Sequence, residues 1–129
     1  MDIVNPPELA PPSAAYSHGV VVGDRIFIAG QVALDPEGNI VGEGDVAAQT
    51  RQVVTNIDAI LKAAGARLQD VVYTTVYLTS FEHYVEYNQA YIEAFGGHKP
   101  ARATVGAELF KPEFLVEIQA IAVKGAGHS

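Results

Sequence analysis

One stretch constrains the fold of this chain more than any other: Val71-Val72-Tyr73-Thr74-Thr75-Val76-Tyr77-Leu78. Nearly every residue in it is β-branched or aromatic, and no charge interrupts it. A run of this kind reads as a central strand covered on both sides. Around it, only two segments carry helical spacing. In Asp45 to Ala64, the residues Val46, Val53, Ile57, Ile60, Leu61 and Ala64 share one face, while Gln49, Gln52, Thr55 and Lys62 lie opposite. Asp45 can cap this helix, and Gly65 stands where a left-handed residue closes it. Thr79-Ser80-Phe81-Glu82 matches a capping box. It opens a second helix over residues 81–95, expected to bury Tyr84, Val85, Asn88, Tyr91, Ile92 and Phe95.

The other strands follow from turn chemistry. Residues 17–22 and 25–34 flank Gly23-Asp24 as a hairpin. Asp35-Pro36-Glu37-Gly38-Asn39 is a second turn, and Ile40-Val41 can add a short strand. Residues 101–109 and 115–123 read as the closing strands, with a turn over 110–114. The expected order is β-β-α-β-α-β-β, an α+β domain with two helices on one face of a mixed sheet. Both crossovers should be right-handed. Residues 1–129 form one domain, with 1–15 as a proline-rich extended arm and 125–129 as a flexible tail. Nothing in the sequence is left to cover the second face. Yet Val71, Val72, Val76, Leu78, Val116, Ile118 and Ile121 place apolar side chains on both. A further copy of the chain is the natural cover, so a homo-oligomer is expected. The competing arrangement is a curled monomer whose arm covers the sheet.

Composition excludes several chemistries. There is no cysteine, which removes disulfides, thiolate nucleophiles and Cys-bound metals. The net charge of −7 repels phosphate backbones, and the eight Lys and Arg are scattered from Arg25 to Lys124. No nucleic-acid partner is expected. The chain has no apolar run of the ~20 residues a membrane helix needs, and its start lacks the basic-then-apolar pattern of a secretory signal. A cytoplasmic location and no membrane partner are therefore expected. His18, His83, His98 and His128 make no metal-ligand pair such as H-E-x-x-H, so no metal is expected.

Several segments together resemble one family. They include Tyr16-Ser17-His18-Gly19-Val20, Phe27-Ile28-Ala29-Gly30-Gln31, Gln49-Thr50-Arg51-Gln52 and Ala63-Ala64-Gly65-Ala66. Further along come residues 71–78, Asn88-Gln89-Ala90-Tyr91, Lys99-Pro100-Ala101-Arg102-Ala103-Thr104-Val105 and residues 116–122. In this order and spacing, over about residues 14–124, the chain resembles the RidA/YjgF family. The resemblance implies a chorismate-mutase-like fold and a homotrimer. It also implies hydrolysis of reactive enamines or imines, such as 2-aminoacrylate, to keto acids and ammonia, without metal or organic cofactor. The sites would lie in clefts between subunits.

An α-imino acid carries a carboxylate beside a C=N bond. Its hydrolysis needs the carboxylate gripped, the nitrogen protonated and water brought to the carbon. Arg102 fits the grip, since a guanidinium holds a carboxylate by two parallel hydrogen bonds. The plainer reading is an edge-strand arginine in a surface ion pair. Glu117 interrupts an apolar strand, where a lone carboxylate is costly. It can orient water and take its proton, or sit in a structural ion pair. The resemblance gives both residues their catalytic roles. Tyr16 ends the arm, where it can cover a neighbour's cleft or simply pack. Asn88 needs a hydrogen-bond partner on its helix, and the resemblance places it at the cleft. Gly30 and Gln31 follow a buried strand, with Gly30 allowing close backbone approach or an ordinary turn. Thr104 shares a strand face with Arg102 and stands where the family often has Cys or Ser. Ala29, Ala15, Gly106 and Phe110-Lys111-Pro112 are further departures, which bear on substrate identity. Two alternatives stand beside the general deaminase. One is an enzyme committed to a single catabolic enamine, such as 2-aminomuconate. The other is a non-catalytic trimer that holds small carboxylates.

Overall fold

The computed structural model describes residues 1–127. Its order is β1 (Asp2–Val4), β2 (Gly19–Val22), β3 (Arg25–Gln31), α1 (Val46–Ala63), β4 (Val71–Leu78), α2 (Tyr84–Ala94), β5 (Ala101–Gly106) and β6 (Val116–Val123). The strands form one six-stranded sheet in the order β1-β2-β3-β6-β4-β5. Only β4 and β5 pair in parallel, through the α2 crossover, and every other neighbour is antiparallel. The expected mixed sheet with two helices is therefore observed. The arm departs from expectation, because Asp2–Val4 pairs with β2 as an edge strand. The 40–41 strand shrinks to a single bridge between Leu34 and Ile40.

α1 forms as its spacing requires. The Asp45 carboxylate accepts from the Ala48 N–H at 3.0 Å, and Gly65 takes φ 82° just past the end. Its face of Val53, Ile57, Ile60 and Leu61 joins Ile26, Val76, Leu78, Val116 and Ile118 in the core. Gln49 is fully buried on this helix, although its polarity suggested the outer face. Its amide donates to the Gly42 and Glu113 carbonyls and accepts from the Leu115 N–H, so it ties two loops to α1. Burial of an amide is tolerable only with such a full set of partners.

The second helix starts later than expected. Residues 81–83 make a 3-10 turn, and Ser80 rather than Thr79 supplies the capping oxygen, to the Glu82 N–H at 3.1 Å. The buried face also differs. Tyr87, Ala90, Tyr91 and Phe95 face inward, while Val85 is 81% exposed and Ile92 44%. The reason is in the hydroxyls. Tyr91 bonds Thr74 at 2.7 Å and Tyr87 bonds Thr104 at 3.4 Å, so this phase satisfies polar groups on two strands that Val85 and Ile92 could not.

The face away from the helices is open. Register aligns Phe27, Ile121, Tyr73 and Ala101 in one row across β3, β6, β4 and β5. Phe27, Tyr73, Ile121 and Val105 are each more than a third exposed. This face is more mixed than expected. Val71, Val76, Leu78, Val116 and Ile118 are buried, and β4 offers the open side Tyr73, Thr75 and Tyr77 instead.

The C-terminal segment is also held, against the expectation of a loose tail from residue 125. The buried Asp70 carboxylate accepts from the Gly127 and Arg67 N–H groups at 2.9 and 3.1 Å. Residues 128–129, including His128, lie outside the described residues. Burial works against the Asp70 charge, but N–H donation from Gly127, Arg67 and Gly125 outweighs it and holds the carboxyl below its ordinary 3.8. The stabilisation is then fully present above pH 3.8 and disappears as pH falls through the lower folded value. Asp70→Asn is expected to cost about 1–2 kcal/mol at neutral pH, the scale of lost charge-assisted hydrogen bonds. Urea unfolding from pH 7 to pH 2 should show the gap closing only at the acid end.

Candidate functional site

β5 is an edge strand, and its alternate residues face α2. Arg102 pairs with Thr74 and Thr104 with Val76, both on the buried side. The Arg102 guanidinium reaches the tyrosine ladder of α2. Its Nη1 donates to Asn88 Oδ1 at 2.8 Å and its Nη2 to the Tyr84 hydroxyl at 2.9 Å. Its Cζ lies 4.9 Å from the Tyr91 ring centre, 5.5 Å from Tyr87 and 5.9 Å from Tyr84. No carboxylate among the described residues pairs with it. The surface ion pair weighed for Arg102 is thus absent among those residues, and the amide of Asn88 has found its partner. Each terminal nitrogen keeps a second N–H for a ligand. A cavity of about 310 Å³ opens beside this group, lined by Arg102, Asn88, Tyr91, Ile92, Lys99 and Pro100. His98, on the same cavity, gives its Nε2–H to the Val71 carbonyl at 2.7 Å. Burial pushes the Tyr87 hydroxyl up to about 12 and raises Tyr91 as well. Both stay neutral donors and acceptors beside the cation.

The other sequence-marked residues gather elsewhere. β3 bulges between Ile28 and Gln31 against β6. The bulge brings Gly30 so close to Glu117 that a Cβ there would stand 2.9 Å from the Glu117 Cδ. Only glycine leaves the carboxylate its place. Glu117 is half-buried, and burial raises its carboxyl above the ordinary 4.5. No described residue donates to it or pairs with it, so the structural ion pair weighed for Glu117 is also absent among them. Gln31 is buried and donates to the His18 Nδ1 at 3.2 Å and to the Ala29 carbonyl at 3.1 Å. His18 Nε2 gives its proton to the Ala10 carbonyl at 2.7 Å, which orients the ring. Tyr16, 48% exposed, stands edge-on to His18 with centroids 6.0 Å apart. Tyr16, His18, Gly30, Gln31 and Asn56 line one shallow pocket.

The marked residues therefore form two clusters. Arg102, Asn88 and Thr104 lie on the helix side of β5. Tyr16, Gly30, Gln31 and Glu117 gather around β3 and β6, with Glu117 paired to Tyr77 on the open side of the sheet. Arg102 and Glu117 thus point to opposite faces of one sheet. Tyr84 and Tyr87 were missed as site residues; their spacing with Tyr91, at i, i+3 and i+7, was the available signal. Among the described residues, no group of three His, Asp or Glu side chains could hold a metal ion.

Known proteins share this arrangement of strands and helices. The family described as Endoribonuclease L-PSP matches residues 7–124. A RutC family protein of Pyrococcus abyssi is 45% identical over 118 residues, covering 91% of this chain and 93% of its own. The crystal structure of the YjgF gene product of E. coli superposes with a TM-score of 0.88 at 32% identity, covering 95% of this chain and 98% of that one. This chain belongs to the RidA/YjgF family. E. coli TdcF, solved with bound serine, has a TM-score of 0.89 at 29% identity, over 97% of this chain and 100% of its own.

Gly30, where β3 of this RidA/YjgF protein bulges toward Glu117, makes a sharp test possible. The neighbour a Cβ would strike is the end of a flexible side chain, not backbone. Gly30→Ala should therefore lower Tm by no more than a few degrees, yet displace the Glu117 carboxylate. Thermal unfolding should change little, while NMR of the same preparation should show the Glu117 side-chain signal shifted from its wild-type position.

Proposed function

We propose that this protein hydrolyses small enamines and imines bearing a carboxylate, giving a 2-keto acid and ammonia, in sites completed by a second copy of the chain. The observation that carries this reading is Arg102, held at both terminal nitrogens by neutral groups, backed by rings and left without a counter-ion among the described residues. A partly buried cation with an unused fork, in a chain of net charge −7, is built for an incoming carboxylate. The TdcF structure with serine, a small amino carboxylate, fits the same ligand class. Because Glu117 faces away from Arg102 within one chain, a partner must bring its own Glu117 to the Arg102 cleft. A homotrimer, the assembly implied by the resemblance, supplies one such junction per copy.

The steps follow from these groups. An enamine first takes a proton on carbon and becomes the imine. Arg102 fixes the carboxylate, and with it the position of the neighbouring C=N carbon. Glu117 accepts a proton from water as the oxygen bonds to that carbon. That proton passes to nitrogen, Glu117 takes the remaining hydroxyl proton as the C–N bond breaks, and ammonia leaves as the ketone forms. A half-buried carboxyl raised above 4.5 takes and returns a proton more readily than an exposed one.

A binding protein that never turns the ligand over is the second reading, and Glu117 separates the two. The assay is semicarbazide trapping of 2-aminoacrylate generated by a dehydratase. Wild-type protein should speed its disappearance, Arg102→Ala should lose about 100-fold or more, and Glu117→Gln should lose turnover while still binding keto acid. Keto-acid binding without any turnover by the wild type would leave the binding role, and no effect at high protein would point to one specialised enamine. The base must be ionised, so the rate should fall as pH drops through a pKa above 4.5, a limb absent in Glu117→Gln.

A further inference from the structure

The cavity beside Arg102 is lined by a second cation, Lys99, for which the steps above have no use. Lys99 is exposed, and no Asp or Glu among the described residues pairs with it. No carboxylate lines the cavity, so nothing on its wall offsets the two positive charges. In a chain of net charge −7, such a recess is a local reversal of the field. The backbone keeps the two cations together. Pro100 confines Lys99 to extended conformations, and β5 begins at Ala101. Three residues of extended chain put the Cα atoms of Lys99 and Arg102 at most about 11 Å apart. Both side chains are long enough to close on one ligand. The space also exceeds what a three-carbon substrate fills. At the ~30 Å³ liquid share of a water for each non-hydrogen atom, 2-aminoacrylate needs about 180 Å³. The cavity holds about 310 Å³. The remainder takes roughly four more atoms on the same scale, enough for a carboxylate and a methylene.

We propose that Lys99 selects substrates with a second carboxylate, so that this site takes 2-imino dicarboxylic acids in preference to uncharged side chains. The argument rests on the reading above, in which Arg102 grips the carboxylate beside the C=N bond. That grip leaves the rest of the cavity for the substrate side chain, whose terminal carboxylate meets the Lys99 ammonium. The two cations suit different tasks. A guanidinium fork fixes the orientation of the carboxylate next to the reacting carbon. An ammonium on a flexible stem accepts a second carboxylate at more than one chain length. Because Lys99 is exposed, salt screens its contact more than that of the half-buried Arg102.

The test compares two 2-keto acids of the product class on the full-length protein, by NMR titration at low salt. 2-Oxoglutarate carries the second carboxylate, and 2-oxopentanoate has the same chain length without it. Wild-type protein should bind 2-oxoglutarate about fivefold more tightly, the upper end for a solvent-exposed ion pair. Lys99→Met keeps the stem and removes the charge, and should bring that ratio to about one. Lys99→Arg should restore it, and added salt should shrink it. Arg102→Ala should weaken both ligands. A ratio of one in the wild type, or a preference untouched by Lys99→Met, would overturn the role of Lys99 while Arg102-dependent binding stood. Binding of both keto acids that is indifferent to Arg102→Ala would overturn the carboxylate reading itself.

Discussion

A sheet has two faces, and this chain carries helices for only one. That constraint organises everything else. The helix side takes Val76, Leu78, Val116 and Ile118 into a dry core with α1. The other side is left with Phe27, Tyr73 and Ile121 in a row, and with Glu117 further along the same strand. Exposed apolar rows of this kind mark surfaces made for a partner. The same alternation that buries the core sends Arg102 to one face and Glu117 to the other. On the function proposed above, assembly and chemistry are two consequences of one strand periodicity.

Arg102 shows how a cation can be kept in place without being neutralised. A carboxylate partner would hold it more tightly but would also occupy the fork. Here neutral oxygens from Asn88 and Tyr84 take one N–H each, and aromatic faces take the flat side. Each contact is weaker than an ion pair. Together they pre-organise the group while leaving its charge available. Glu117 is the complement, an anion that pays a desolvation cost and finds no cation among the described residues of its own chain.

Much of this was legible in the sequence. The apolar spacing of α1, its Asp45 cap and Gly65 stop are local signals, and the structure follows them to within a residue or two. The phase of α2 was not legible in the same way. Tyr87 counts as polar or apolar depending on whether Thr104 waits for its hydroxyl, and only the sheet decides that. Gln49 misled for the same reason, since its partners at Gly42, Glu113 and Leu115 are distant in sequence. At the site, Arg102, Asn88 and Glu117 could be marked as residues of interest. Their division between two faces could not be read until strand register was known, because a one-residue slip would have reversed it.

The central claim is that one chain supplies the arginine and another the glutamate. Subunit mixing tests it most directly. Arg102→Ala and Glu117→Ala, each expected to be inactive alone, are unfolded together, refolded at equal concentration and assayed for imine hydrolysis. If sites form between copies, random mixing pairs an intact Arg102 with an intact Glu117 in about a quarter of junctions in a cyclic assembly. Activity should return to about that fraction of wild type. Hybrids shown by mass spectrometry to contain both variants, yet still inactive, would contradict the shared site.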